Sequence, residues 1–407
     1  MLFKDIIGQQ EVKEQLIELV QSNRLSHALL FIGKEGSGAL PLALTFAQYV
    51  GISPGKSSSN VSAVSLFGEE PVIGDKQVLL SQSVAEADEW MQEQPAYSKL
   101  KDFVHADLHF SYPVVTKKSG TPPISTDYIN EWREFIKNYP YGNVYDWLQF
   151  IGAENKQGNI TANECNDIIH KLSLKSFESE YKILIMWMPE YLGNEGNKLL
   201  KLIEEPPPNT LFILVAENES LILPTILSRC QLIRIPALET KDIEEALISK
   251  NKTEANMARQ TASVSEGNYR EALQMLQHAD EDWQSLLRDW LNAVLKTGPV
   301  AQTKWVEEIS KLGRERQKQF LRYFNHLLEQ AIRTSIMGDS YYLPEKEKDF
   351  AERLNKIAGL AQQQAIIEEL DKAAYYIERN ANAKILFHAL TIKLYHIIQD
   401  KIVFLTN

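Results

Sequence analysis

Two cysteines, Cys165 and Cys230, are all that the 407 residues contain, and they lie far apart in the chain. So small a supply builds neither a disulfide framework nor a four-cysteine zinc site, and the expectation is two free thiols in a reducing compartment. No apolar run approaches the ~20 residues a membrane helix needs. The opening MLFKDIIGQQ also lacks a secretory-leader pattern. The expected setting is cytoplasmic, with no membrane partner. Positive charge is short as well: 43 Lys and Arg against 54 Asp and Glu leave a formal net charge of −11. Unaided nucleic-acid binding depends on clustered cations that displace counterions, so any DNA contact should be local or shared with partner subunits.

What remains is 44% hydrophobic and 24% charged, the balance of a globular chain long enough for two or three cores. The most informative absence lies inside a motif. Residues 33–40 read GKEGSGAL. In the pattern G-x-x-x-x-G-K-[ST], backbone N–H groups wrap phosphates, the lysine neutralises their charge and the hydroxyl residue ligates Mg²⁺. Gly33, Gly36 and Gly38 stand where the turn needs them, but Ala39 replaces the lysine and Leu40 the hydroxyl. Ala28-Leu29-Leu30-Phe31-Ile32 reads as a buried strand and Pro41 to Val50 as an apolar helix, the required flanks. Taken alone, the loop reads equally well as any strand-to-helix turn.

The spacing predicts a helix over Gln10–Gln21, then a Ser/Gly/Pro-rich stretch from Gly51 to Gln77 read as a surface insert. Leu79 to Met91 has helical character. Asp107 to Val115 has strand character broken by Pro113, and 117–123 reads as a loop. Short helices are expected around Trp132, Phe135, Ile136, Trp147, Leu148 and Ile151. Another spans Thr161 to Leu174, with Thr161 and Glu164 spaced as a capping box. The aromatics of residues 132 to 150 read as a local core, since basic residues do not alternate with them as a base-stacking platform requires. His27 is read as a packed residue at a strand start.

Lys182 to Met188 is short, apolar and bounded by polar residues, the signature of a central parallel strand. A helix from about Glu195 to Glu205 stops at Pro206-Pro207-Pro208, and Leu211 to Ala216 is a further buried strand. Alternating strands and helices give an α/β domain with crossover connections. Beyond Ile235-Pro236 no strand is evident; a small helical unit follows, then long amphipathic helices punctuated at Gly298-Pro299 and Gly338-Asp339. The expected domains are 1–237, α/β with the insert near 51–101, then a helical lid over 238–279 and an all-helical domain over 280–407. A P-loop ATPase ends the strand after its mid-domain helix in carboxylates that hold Mg²⁺ and orient water; this strand ends in Trp187-Met188, and Glu190 follows only after Pro189. Loss of lysine, hydroxyl and carboxylates together removes separate parts of the transition-state charge stabilisation, so no hydrolysis by this chain is expected.

The segments NKLLKLIEEPPPNTLFILVAEN and LPTILSRCQLIRIP, with IIGQQEVKEQL, RLSHALLFIG and ERNANAKILFHAL, resemble the clamp-loader branch of the AAA+ superfamily. The resemblance touches all three expected domains. It implies an α/β P-loop domain with a parallel sheet, a helical lid and an all-helical C-terminal collar, in a ring whose ATP sites lie between neighbours. It also implies that Arg229, in Ser228-Arg229-Cys230, is an arginine finger acting in trans on ATP held next door. A planar, always-charged guanidinium suits that role. The alternative is a surface arginine satisfying carbonyls at a helix end.

Arg270, in EGNYREAL, matches the lid arginine that senses phosphate in active relatives; with an empty pocket, a lid salt bridge or a solvent-facing role is expected. The implied partners are other clamp-loader subunits, both ATPase and delta-type, with the sliding clamp and primed DNA. No cofactor is expected. Many relatives carry a four-cysteine zinc module after the loop helix, but no cysteine lies between Gly51 and Lys101, so no metal is expected. Two other readings stay open: an active AAA+ motor with unrecognised catalytic replacements, and a stand-alone DNA-binding protein.

Overall fold

The computed structural model describes residues 1–53, 83–117, 122–154, 156–277, 283–337, 345–378 and 381–401. The chain divides into two compact units, Met1–Gln277 and His278–Asn407. Most of the Ser/Gly-rich insert, part of the 117–123 loop and Gly338-Asp339 lie outside the described residues.

In the first unit, α1 (Gln10–Gln21) leads into β1 (Ala28–Gly33), the glycine loop and α2 (Ala39–Ile52). Helices α3 (Val84–Glu93) and α4 (Tyr97–Lys101) precede β2 (Leu108–Ser111), followed by α5 (Ile129–Asn138), α6 (Val144–Phe150) and α7 (Ala162–Ser173). Then come β3 (Lys182–Trp187), α8 (Leu200–Glu204), β4 (Thr210–Ala216), α9 (Pro224–Leu227) and β5 (Gln231–Ile235). The five strands form one parallel sheet in the order β2-β3-β4-β1-β5.

Both faces of that sheet are covered, which is why its strands read as unbroken apolar runs. Successive side chains alternate between faces. Leu29, Phe31, Ile183, Ile185, Trp187, Leu211, Ile213 and Val215 join the core containing α2 and the aromatics of α5 and α6. Leu30, Leu184, Met186, Phe212 and Leu214 join the opposite core with Ile168 and Leu172 of α7. The aromatic cluster is core, as its spacing indicates: Trp132 is fully buried and stacks on Tyr112 at 4.0 Å between ring centroids.

Three local expectations are corrected. The Glu195–Glu205 helix is an irregular 3-10 segment, Pro189–Leu199, kinked at Gly193 and followed by the short α8. Only half of the capping box forms: Thr161 Oγ1 accepts from the Glu164 amide at 3.3 Å. The buried Glu164 carboxylate instead accepts from Ser125 N at 2.7 Å and Ser125 Oγ at 2.6 Å, a stronger use of a desolvated anion. His27 is exposed; it is its carbonyl that joins the structure, accepting from Phe212 N at 2.8 Å.

Three further helices, α10 (Thr240–Asn251), α11 (Ala255–Val264) and α12 (Tyr269–Gln277), share a small core of Ile243, Leu247, Ala258, Ala262 and Tyr269, joined by Ile7 and Leu238. The second unit is all helical among its described residues: α13 (Trp283–Asn292), α14 (Pro299–Lys311), α15 (Arg314–Met337), α16 (Glu345–Ile357), α17 (Leu360–Glu378) and α18 (Ala383–Gln399). Its core centres on Trp290 and Trp305, stacked at 4.4 Å and parallel within 1°, with Phe320, Phe324 and Phe387 around them.

Candidate functional site

The glycine loop leaves the C-terminal end of β1 and turns into α2 at Gly38, whose φ of 91° only glycine adopts freely. Gly36 has φ +71°, and a Cβ there would lie 1.9 Å from Asn268 Oδ1. The loop is thus shaped as a phosphate cradle and closed over from α12. Gln9 Nε2 adds a strap, donating to the Ser37 carbonyl at 3.0 Å and the Pro236 carbonyl at 2.6 Å. Ala39 and Leu40, at the two chemically decisive positions, are turned into the core at 8% and 5% exposure.

The space left at the loop is about 30 Å³, lined among others by Tyr141, Trp187, Met188 and Glu217. That admits a water molecule or two, against the ~300 Å³ or more of an ordinary small-molecule site. Trp187 packs its ring 5.1 Å from that of Trp132, and Met188 is buried with φ 58°. Neither approximates a metal ligand. Glu190 has left the strand end: its Oε1 accepts from the amides of Glu217 at 2.6 Å and Asn218 at 2.8 Å, closing the end of β4. Burial pushes the Glu190 carboxyl above its usual range. Among the described residues no three His, Cys, Asp or Glu side chains converge as metal ligands. The residues present do not fit a Mg²⁺-nucleotide.

Arg270 is 4% exposed and points into this region. Its Nε and Nη2 donate to Asp146 Oδ2 and Oδ1 at 2.5 and 2.7 Å, and Nη1 donates to Glu35 Oε1 at 2.9 Å. Glu35, in the glycine loop, also accepts from Asn268 Nδ2 at 3.2 Å and, through Oε2, from Asn143 Nδ2 at 3.1 Å. Asn143 and Asp146 are themselves fixed as the capping box of α6. Of the two roles expected for Arg270, the structure has the salt bridge.

Arg229 lies in the turn between α9 and β5, where Pro224 starts a short helix that Ser228 ends. It is not among the residues lining the loop cavity. Its side chain is 33% exposed. Nε donates to Glu204 Oε1 at 2.5 Å and Nη2 pairs with the same oxygen. Nη1 donates to the Thr225 carbonyl at 2.7 Å and Ser228 Oγ at 3.2 Å. Ser228 therefore orients the guanidinium, and Arg229 does satisfy a helix carbonyl while keeping solvent access. The two cysteines are free, and burial pushes both thiols up to about 11, which leaves them poor nucleophiles at neutral pH.

Sequence reasoning missed Glu35, Asn143, Asp146, Asn268 and Glu204. An acidic residue inside a phosphate-binding loop is a usable signal for Glu35. Asp146 and Glu204 carry none, because their partners are distant in the chain.

A five-stranded parallel sheet with the glycine loop at the end of β1 and helices α10 to α12 closing over that loop makes this an α/β domain of P-loop architecture. Residues 76–239 match the family described as "DNA polymerase III, delta subunit". The chain is similar to DNA polymerase III subunit delta' of Bacillus subtilis (strain 168), 25% identical over 267 residues, covering 66% of this chain and 59% of that protein. It is similar to subunit tau of the same organism, 27% identical, covering 56% of this chain and 43% of the relative. To subunit delta' of Haemophilus influenzae it is 25% identical, covering 45% and 55%. The matches thus span about half the length of these relatives. The crystal structure of a DNA polymerase III gamma-subunit-related protein from Thermotoga maritima covers 96% of this chain and 99% of its own at 14% identity, with a TM-score of 0.36. These sequence matches support a member of the clamp-loader branch of DNA polymerase III subunits.

Proposed function

We propose that this protein is a delta-prime-type, non-hydrolysing subunit of a DNA polymerase III clamp loader, donating Arg229 to ATP bound by a neighbouring ATPase subunit. The observation that carries the reading is an asymmetry within one domain. The chain's own loop has about 30 Å³ of space and neither lysine nor hydroxyl. Its Ser228-Arg229-Cys230 turn, in contrast, presents a partly exposed guanidinium held in a defined orientation by Glu204, Ser228 and the Thr225 carbonyl. A pre-oriented guanidinium loses less side-chain freedom when it engages a phosphate, the condition for a finger that acts across an interface.

In this reading the partners are ATPase subunits, a delta-type subunit, the sliding clamp and primed DNA, in the cytoplasm. The helical unit contributes to a subunit collar. DNA is engaged through the assembly, consistent with the net charge of −11. The test is reconstitution with gamma- or tau-type ATPase subunits: Arg229→Ala should leave assembly intact and depress DNA- and clamp-stimulated ATP hydrolysis. Unchanged turnover would remove the reading.

A further inference from the structure

The misfit between the loop and a nucleotide has a counterpart in the residues that fill it. We propose that Glu35 is a tethered anion standing where a nucleotide phosphate would otherwise meet Arg270, so that the protein's own carboxylate, and no ligand, holds α12 against the loop. Arg270 is almost wholly buried, and a desolvated guanidinium persists only with anions on its donors. Asp146 takes one edge in a bidentate pair, and Glu35 accepts from Nη1. An incoming phosphate therefore meets the Glu35 carboxylate already on the guanidinium, and no loop lysine to receive it.

The main chain agrees with this reading. The Tyr269 amide at the start of α12 donates to the Gly36 carbonyl at 3.3 Å, and Asn268 reaches both Glu35 and the space a Gly36 Cβ would need. Glu35 is joined at once to α12, through Arg270 and Asn268, and to the start of α6, through Asn143. Removing its charge while keeping its shape should therefore loosen α12 from the loop.

The proposal concerns the chain by itself and stands or falls apart from any role of Arg229. It is tested on the full-length protein by hydrogen exchange with mass spectrometry over residues 240–277, for wild type, Glu35→Gln, Glu35→Ala and Glu35→Ala/Arg270→Ala, each with and without inorganic phosphate or Mg²⁺-ATP. Wild-type protection should be indifferent to both additions. In Glu35→Gln and Glu35→Ala, exchange of these amides should quicken roughly 10- to 100-fold, as expected when one partner of a buried pair is lost and the segment opens locally. Millimolar phosphate should restore protection in Glu35→Ala, but not in the double variant, which has no guanidinium to receive it. Unchanged exchange in both single variants overturns the proposal. So does loss that phosphate cannot restore, or a wild-type response to Mg²⁺-ATP.

Discussion

Restoring the two missing loop residues, by Ala39→Lys together with Leu40→Thr, should destabilise the protein without conferring nucleotide binding. Both positions are core, and every residue of α2 from Ala39 to Gly51 is buried. Replacing a buried leucine by the smaller, polar threonine costs about 2–3 kcal/mol, from lost apolar contact and a desolvated hydroxyl. An ammonium brought to Ala39 adds about 1 kcal/mol even if its stem bends outward. At about 2–4 °C per kcal/mol for a unit of this size, the thermal midpoint should fall by about 6–16 °C. A nucleotide bound at 100 times its dissociation constant returns about 2.7 kcal/mol, so Mg²⁺-ATP would recover much of that fall if the site were rebuilt. The prediction is no recovery in differential scanning calorimetry and no binding heat, because Trp187 and Met188 still supply no metal ligand and Glu35 still faces the pocket. Recovery of the midpoint by Mg²⁺-ATP, or turnover by the double variant, would refute the reasoning.

Gly36→Ala combines a left-handed backbone with a Cβ placed on Asn268, and should cost about 2–4 kcal/mol in denaturant titration; an unshifted midpoint would mean the loop is not pinned by α12. Burial holds both His109 and His326 down at about 4, against 6.5 in the unfolded chain. The unfolded state then binds more protons between those values, so stability should fall as pH drops from 6.5 toward 4, each histidine adding a slope of up to ~1.4 kcal/mol per pH unit. His109→Gln should flatten that slope in unfolding monitored by tryptophan fluorescence, and an identical slope would count against its buried neutral state. Glu204→Ala breaks a solvent-accessible pair worth about 0.2–1 kcal/mol, so its melting curve should stay close to wild type; a large loss would give the pair a structural role.

The sheet was readable because strands covered on both faces are uninterrupted apolar runs, and Lys182–Trp187 and Thr210–Ala216 are of that kind. The glycine loop was readable because Gly36 and Gly38 occupy backbone conformations that other residues resist. Spacing failed where a side chain had a better partner far away: Glu164 sits at capping distance from Thr161, yet its carboxylate serves Ser125 across the fold. The same limit hid the ion cluster. Arg270 stood out through its surroundings in the sequence, but Asp146 is an unremarked acid on a short helix until the fold brings it within 2.5 Å of the guanidinium. The Ser228-Arg229-Cys230 turn was legible as a motif, and its tether to Glu204 was not.

In the proposed function Arg229 acts outside its own chain. Within it, the guanidinium makes one exposed ion pair and short contacts to Thr225 and Ser228, so Arg229→Ala should shift the isolated protein's stability by no more than about 1 kcal/mol. The decisive measurement is ATP hydrolysis by a clamp loader reconstituted with that variant, in the presence of clamp and primed DNA. A fall at the adjoining site of roughly 10³-fold or more, with assembly unaffected, is the predicted result; turnover equal to wild type would contradict the account.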